Sequence, residues 1–117
     1  MYNENDLVRL KSVNKKINTI YTIIQRHNGI IKALNDIEGQ PAILMLLIAI
    51  SEQFSKLQKS NSKILNAFDE QDLKGITSVR NFIAHDYDGV RLGIIEDILR
   101  YKLPVILKVV DDVLKIK

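Results

Sequence analysis

Leu7, Leu10, Val13, Ile17, Ile20 and Ile24 recur at spacings of three and four. A strand cannot use such a pattern, because its side chains alternate between two faces, whereas a helix gathers these six on one stripe. The spacing predicts an amphipathic helix over roughly residues 4–28, with Lys11, Lys15, Lys16 and Arg26 turned largely toward water and Gly29 as its stop. Residues 30–39 read as a connection holding a helical turn. Pro41 then suits the first turn of a second helix, where its missing N–H costs nothing, and that helix should run to about Lys59. Its first half, "AILMLLIAI", is apolar on every side but far short of the roughly 18 to 20 residues a membrane span needs. A helix packed on two or more faces is the better reading, and one of those faces can meet another subunit. After "KSNSK" and a short piece at Ile64 to Phe68, Asp69 is placed to cap a third helix, with Asp72 in its first turn. Leu73, Ile76, Val79 and Ile83 form the core stripe of that helix. A last helical stretch, about Leu92 to Ile116, contains Pro104, which must kink or divide it. The expected fold is all-α, a single-domain bundle of four to five helices over residues 1–117.

With 46% hydrophobic and 26% charged residues the chain has the composition of a folded domain rather than a disordered one. At 117 residues, a second copy would complete part of its apolar burial, so a homodimer is expected. The net charge of +3 helps attract phosphate but decides nothing alone. Zero cysteines remove disulfides and thiolate metal sites, and the start "MYNENDLVRL" lacks the apolar core of a signal peptide. A cytoplasmic protein with no membrane association is the expectation.

The chemistry concentrates in "RNFIAHDY", residues 80–87. On a helix Asn81 and His85 stand one turn apart on the same face, Arg80 and His85 are separated by about 140°, and Arg80 shares a face with Ala84 and, if the helix reaches it, Tyr87. Histidine exchanges protons near neutral pH, and arginine grips phosphate oxygens in a bidentate manner. Together they match RNA cleavage by internal attack of the 2′-hydroxyl, which needs a base, an acid for the leaving 5′-oxygen and a cation beside the phosphorus. Two subunits about a twofold axis would supply a pair of each. An arginine and a histidine at a helix C-terminus equally serve to satisfy its free carbonyls and dipole, and residue spacing leaves both accounts open.

The longer stretch "SVRNFIAHDYDGV" resembles the R-N-x-x-x-H-x-Y signature of the HEPN superfamily, in its HepT-like branch, with Arg80, Asn81, His85 and Tyr87 all matching. The likeness extends to the first helix, to the second ending in "AISEQFSKL", and to "IIEDILRYKLPVILKVV". It implies a homodimeric helical bundle with a cleft at the interface and a metal-independent endoribonuclease site, in a toxin of a toxin–antitoxin pair. On that likeness His85 transfers protons, Arg80 holds the phosphate and stabilises its transition state, and Asn81 positions the substrate or the histidine. The implied partners are an RNA substrate and a small MntA-like nucleotidyltransferase antitoxin, which neutralises the toxin by attaching AMP to Tyr87. The second reading is a non-catalytic HEPN module that binds nucleotide or such a nucleotidyltransferase. The loop "DYDGVRLG" departs from other members and bears on substrate access.

Similar proteins often carry an acid at the position of Glu52, although a surface glutamate accounts for it equally well. Lys56, Lys59 and Lys63 form a candidate basic ridge near an RNA path or simply a solvated face. His27 is expected to meet the dipole of the first helix and takes no site role. Asp69/Glu70 and Asp111/Asp112 lack the third ligand of a metal spacing, so neither metal nor other cofactor is implied. No paired-aspartate nucleotidyltransferase motif is present, so the chain is not itself the modifying partner.

Overall fold

The computed structural model describes residues 2–85 and 89–116, and these form helices around one core. Helix α1, Glu4–Arg26, begins where the Asn3 side chain accepts from the Asn5 N–H at 2.7 Å, with Glu4 and Asp6 in the first turn beside the positive end of the dipole. Leu7, Leu10, Val13, Ile17 and Ile20 are buried as the spacing requires, and Ile24 is half-buried. The short α2, Ile30–Leu34, realises the expected helical turn, and α3 runs over Gly39–Lys59. A 3₁₀ turn, Lys63–Ala67, leads to α4, Glu70–His85. Helix α5, Leu92–Asp97, passes through a π turn, Ile98–Lys102, into α6, Leu103–Ile116.

Two helix ends share one device. After α1, Asn28 takes φ 62° while its N–H bonds the Gln25 carbonyl and the Gly29 N–H bonds the Ile24 carbonyl; after α3, Asn61 takes φ 54° with the same pair of bonds to Gln58 and Leu57. These are Schellman closures with asparagine at the left-handed position, which it tolerates better than most residues. The helix stop expected at Gly29 is therefore executed one residue earlier, by Asn28, and Gly29 follows at φ 137°. Asp69 caps α4 as expected, its Oδ1 accepting from Gln71 and Asp72 N–H groups at 2.8 and 3.3 Å.

Pro104 divides the last stretch through the π turn, where the Leu103 N–H reaches back five residues to the Ile98 carbonyl. The widened turn stands directly before the residue that has no N–H to give. The apolar run at the start of α3 meets α1, α2 and α4, burying Ile43, Leu44, Leu47 and Ile50, while Met45 faces outward. Where α3 begins, Gly39 is buried so closely that a Cβ there would run into the Ala33 carbonyl oxygen. Phe54 of α3 and Phe68 after the 3₁₀ turn meet edge to face with ring centroids 5.3 Å apart, which ties the connection to the core. No helix of the described residues is long and apolar enough to cross a membrane.

Candidate active site

Arg80, Asn81 and His85 stand on the last two turns of α4, and the inner face of that helix explains why they are outside. Val79 and Ile83 are buried against the core, so Arg80, Asn81, Ala84 and His85 are exposed by helical geometry. What fixes this turn against α3 is Ser51, a fully buried hydroxyl in an otherwise apolar contact. Its Oγ donates to the Thr77 carbonyl at 3.1 Å and accepts from the Arg80 N–H at 3.4 Å. A small hydroxyl lets the helices approach closely and pairs itself in doing so, as a buried polar group must.

One residue further along α3, Glu52 Oε2 receives the Arg80 Nε–H at 3.0 Å. Both side chains are about half exposed, so the pair adds little stability, and its consequence is positional. With Nε held by Glu52, the guanidinium keeps its terminal N–H groups for other acceptors, and one of them lies 3.5 Å from Asn81 Oδ1. That contact turns the Asn81 carbonyl toward Arg80 and leaves the amide N–H₂ as its donor end.

Asn81 and His85 then line one groove of about 660 Å³, together with Phe82, Ala84, Val90 and Arg91. The structure thus joins Arg80 to Asn81 by contact and Asn81 to His85 by a shared groove. Arg80 itself borders the α3 side and does not line that groove. Among the described residues His85 has no side-chain hydrogen-bond partner. Tyr87, the expected AMP acceptor, lies outside the described residues.

Two contributors, Ser51 and Arg91, were not foreseen in the sequence. Ser51 is an ordinary serine in an apolar run, and nothing local marks it as the residue facing α4. Glu52, which the sequence left with two accounts, is bonded to Arg80 and so stands beside the signature. Arg91 sits beyond α4, at the start of α5, yet lines the same groove as His85; its carbonyl accepts the Ile94 and Ile95 N–H groups at 3.1 and 3.4 Å and so starts that helix. Lys56, Lys59 and Lys63 are exposed, the first two on α3 at one and two turns beyond Glu52 and the third on the 3₁₀ turn. No group of three His, Cys, Asp or Glu side chains that could hold a metal ion occurs among the described residues.

His27 closes α1 as expected and does more. Its Nδ1 lies 2.8 Å from the Ile23 carbonyl, and its Nε2 lies 3.2 Å from Asp36 Oδ2. Asp36 also accepts the Gly39 and Glu38 N–H groups at 2.8 and 2.9 Å. Those two backbone donors, followed by His27, hold its carboxyl below the usual carboxylate pKa.

The model of the family described as Ribonuclease HepT-like matches residues 13–113, and the chain belongs to that family. Neither curated proteins nor solved structures give a match to the chain.

Proposed function

From that membership we propose that the chain is a metal-independent endoribonuclease, the toxin of a toxin–antitoxin pair. The observation that carries this is the placement of Asn81 and His85 in one groove with Arg80 tethered beside Asn81. His85 takes the proton of a ribose 2′-hydroxyl, whose oxygen attacks the adjacent phosphorus. The P–O5′ bond breaks, the departing 5′-oxygen receives a proton, and a 2′,3′-cyclic phosphate remains. Arg80, its Nε on Glu52, directs its remaining N–H groups to the phosphate oxygens as charge builds on them, and the Asn81 amide donates to the same strand.

One chain supplies one His85, and the reaction needs both a base and an acid. A homodimer brings a second, and an apolar groove of about 460 Å³ between α4 and the α5–α6 unit supports this. Val79, Phe82, Ile94 and Ile98 line it, and Phe82 belongs to the His85 groove as well. Gly75 stands in it with open space where a Cβ would be, so a partner helix can approach. Light scattering at micromolar concentration should give twice the chain mass; monomer alone would remove the paired-histidine mechanism.

The deciding assay is cleavage of labelled RNA by the purified chain in excess EDTA. Products ending in 2′,3′-cyclic phosphate are expected, and loss of all activity on chelation would overturn the mechanism. Neutralisation is assigned to the partner nucleotidyltransferase: the Tyr87 hydroxyl attacks the α-phosphorus of ATP, pyrophosphate leaves, and the attached AMP adds bulk and negative charge that oppose RNA binding. Tyr87→Phe should resist the mass increase of one or more AMP units and retain RNase activity with the partner present. Unchanged modification of Tyr87→Phe would dismiss the tyrosine while leaving the ribonuclease intact.

A further inference from the structure

We propose that Arg91 is a second phosphate-binding residue, which grips the RNA backbone phosphate next to the scissile one; the inference rests on the ribonuclease reading above. Arg91 lies four residues past the end of the signature and shares no helix with it. The groove lined by His85 and Asn81 is nevertheless lined by Arg91, while Arg80 stands outside that lining, toward α3, in the hold of Glu52. The two arginines therefore approach the signature from different elements, Arg80 from α4 and Arg91 from the start of α5.

A single-stranded RNA backbone presents successive phosphates several ångströms apart, and one guanidinium reaches only one of them in its bidentate mode. With Arg80 assigned to the reacting phosphate, the Arg91 fork meets the neighbouring one and fixes the strand's direction through the groove. The Arg91 backbone is suited to this. At φ −78° and ψ 105° it is extended, its carbonyl is committed to the first turn of α5, and its side chain is exposed and makes no capping bond. The side chain can therefore be changed without removing the bonds that begin the helix.

Phosphate contacts orient a strand and add affinity without reading its sequence. Arg91→Gln should accordingly raise KM about tenfold, the loss expected for one charge-assisted bond to phosphate, and leave kcat within about threefold. The slope of log KM against log salt should fall by about 0.7, the share of one phosphate contact on a single strand. Arg91→Lys, which keeps the charge, should keep the slope. Unchanged KM and slope in Arg91→Gln, or a collapse of kcat at constant KM, would overturn the assignment. Fluorescence anisotropy with a fluorescein-labelled 2′-O-methyl oligonucleotide, which cannot be cleaved, separates this inference from the ribonuclease reading. If the wild-type chain cleaves no RNA, the ribonuclease reading fails. The Arg91 contact still stands if Arg91→Gln weakens binding about tenfold, and it falls if binding is equal or the wild-type chain binds nothing.

Discussion

The protein has two histidines, and each stands at the C-terminal end of a helix, yet the two ends are built for different work. At the end of α1 both ring nitrogens of His27 are engaged, one with the Ile23 carbonyl of its own helix and one with Asp36 from the α2–α3 turn. The Schellman closure through Asn28 and Gly29 turns the chain back so that Asp36 can arrive. At the end of α4 His85 instead faces a groove shared with Asn81 and Arg91, with no side-chain partner among the described residues. A histidine saturated by protein acceptors is part of the frame. A histidine facing a groove beside an amide and a guanidinium is available to a substrate.

The contrast breaks most directly at the two rings. His85→Ala should lower the rate of RNA cleavage by about 10²- to 10⁴-fold, the usual worth of a positioned proton-transfer group, while leaving the thermal midpoint near wild type. His27→Ala should do the opposite, losing thermal stability and keeping the cleavage rate per folded molecule. Single-turnover assays and thermal melts on both variants check this, and equal rate losses in the two would erase the distinction.

A smaller effect is expected where Arg80 is tethered. Glu52→Gln removes the charge that holds Nε but not the guanidinium itself, so cleavage should fall by about threefold to tenfold. Its stability cost should stay under about 1 kcal/mol, because the pair is half exposed. Denaturant titration alongside kinetics separates the two; a large stability loss with unaltered kcat/KM would make Glu52 structural.

Beneath that pair, Ser51 tests whether helix approach sets the site. Ser51→Leu forces a larger side chain into a fully buried position and should cost about 1–3 kcal/mol, whereas Ser51→Ala should cost about 1 kcal/mol through the lost hydrogen bond to the Thr77 carbonyl. Urea midpoints measure both, and a Ser51→Leu as stable as wild type would mean that the α3–α4 spacing adjusts freely.

The smallest effect belongs to the His27 end. Asp36 has its pKa lowered in the folded state, first by the Gly39 N–H, then by Glu38 and His27. A depressed carboxyl contributes stability above its ordinary pKa and loses it as the pH falls through the folded value. Asp36→Asn should therefore melt below wild type at pH 7, with the gap closing below about pH 4 as both side chains become neutral. A gap that does not narrow at all as the pH is lowered from 7 would assign the difference to packing rather than charge.

Much of this protein was legible along the chain. Periodicity at three and four located the buried stripes of α1 and α4, Asp69 marked a helix start, Pro41 fell in the first turn of α3, and the R-N-x-x-x-H run pointed to the exposed end of α4. These features depend on neighbours within about one helical turn, so the local sequence contains their causes. The one error was local and short, the stop at Gly29 belonging to Asn28, while the division expected at Pro104 takes the form of a π turn that begins at Ile98.

What the sequence by itself determined is the set of helices, their polar and apolar faces, and the signature's exposure on one of them. Tertiary structure decided which distant groups meet: Ser51 against the Thr77 carbonyl, Glu52 on Arg80, Asp36 on His27, and Arg91 beside His85. Those pairings follow from how helix surfaces interdigitate and where the turns redirect the chain, and shifting one helix against another by a single turn would exchange every partner while the pattern along the chain stayed the same.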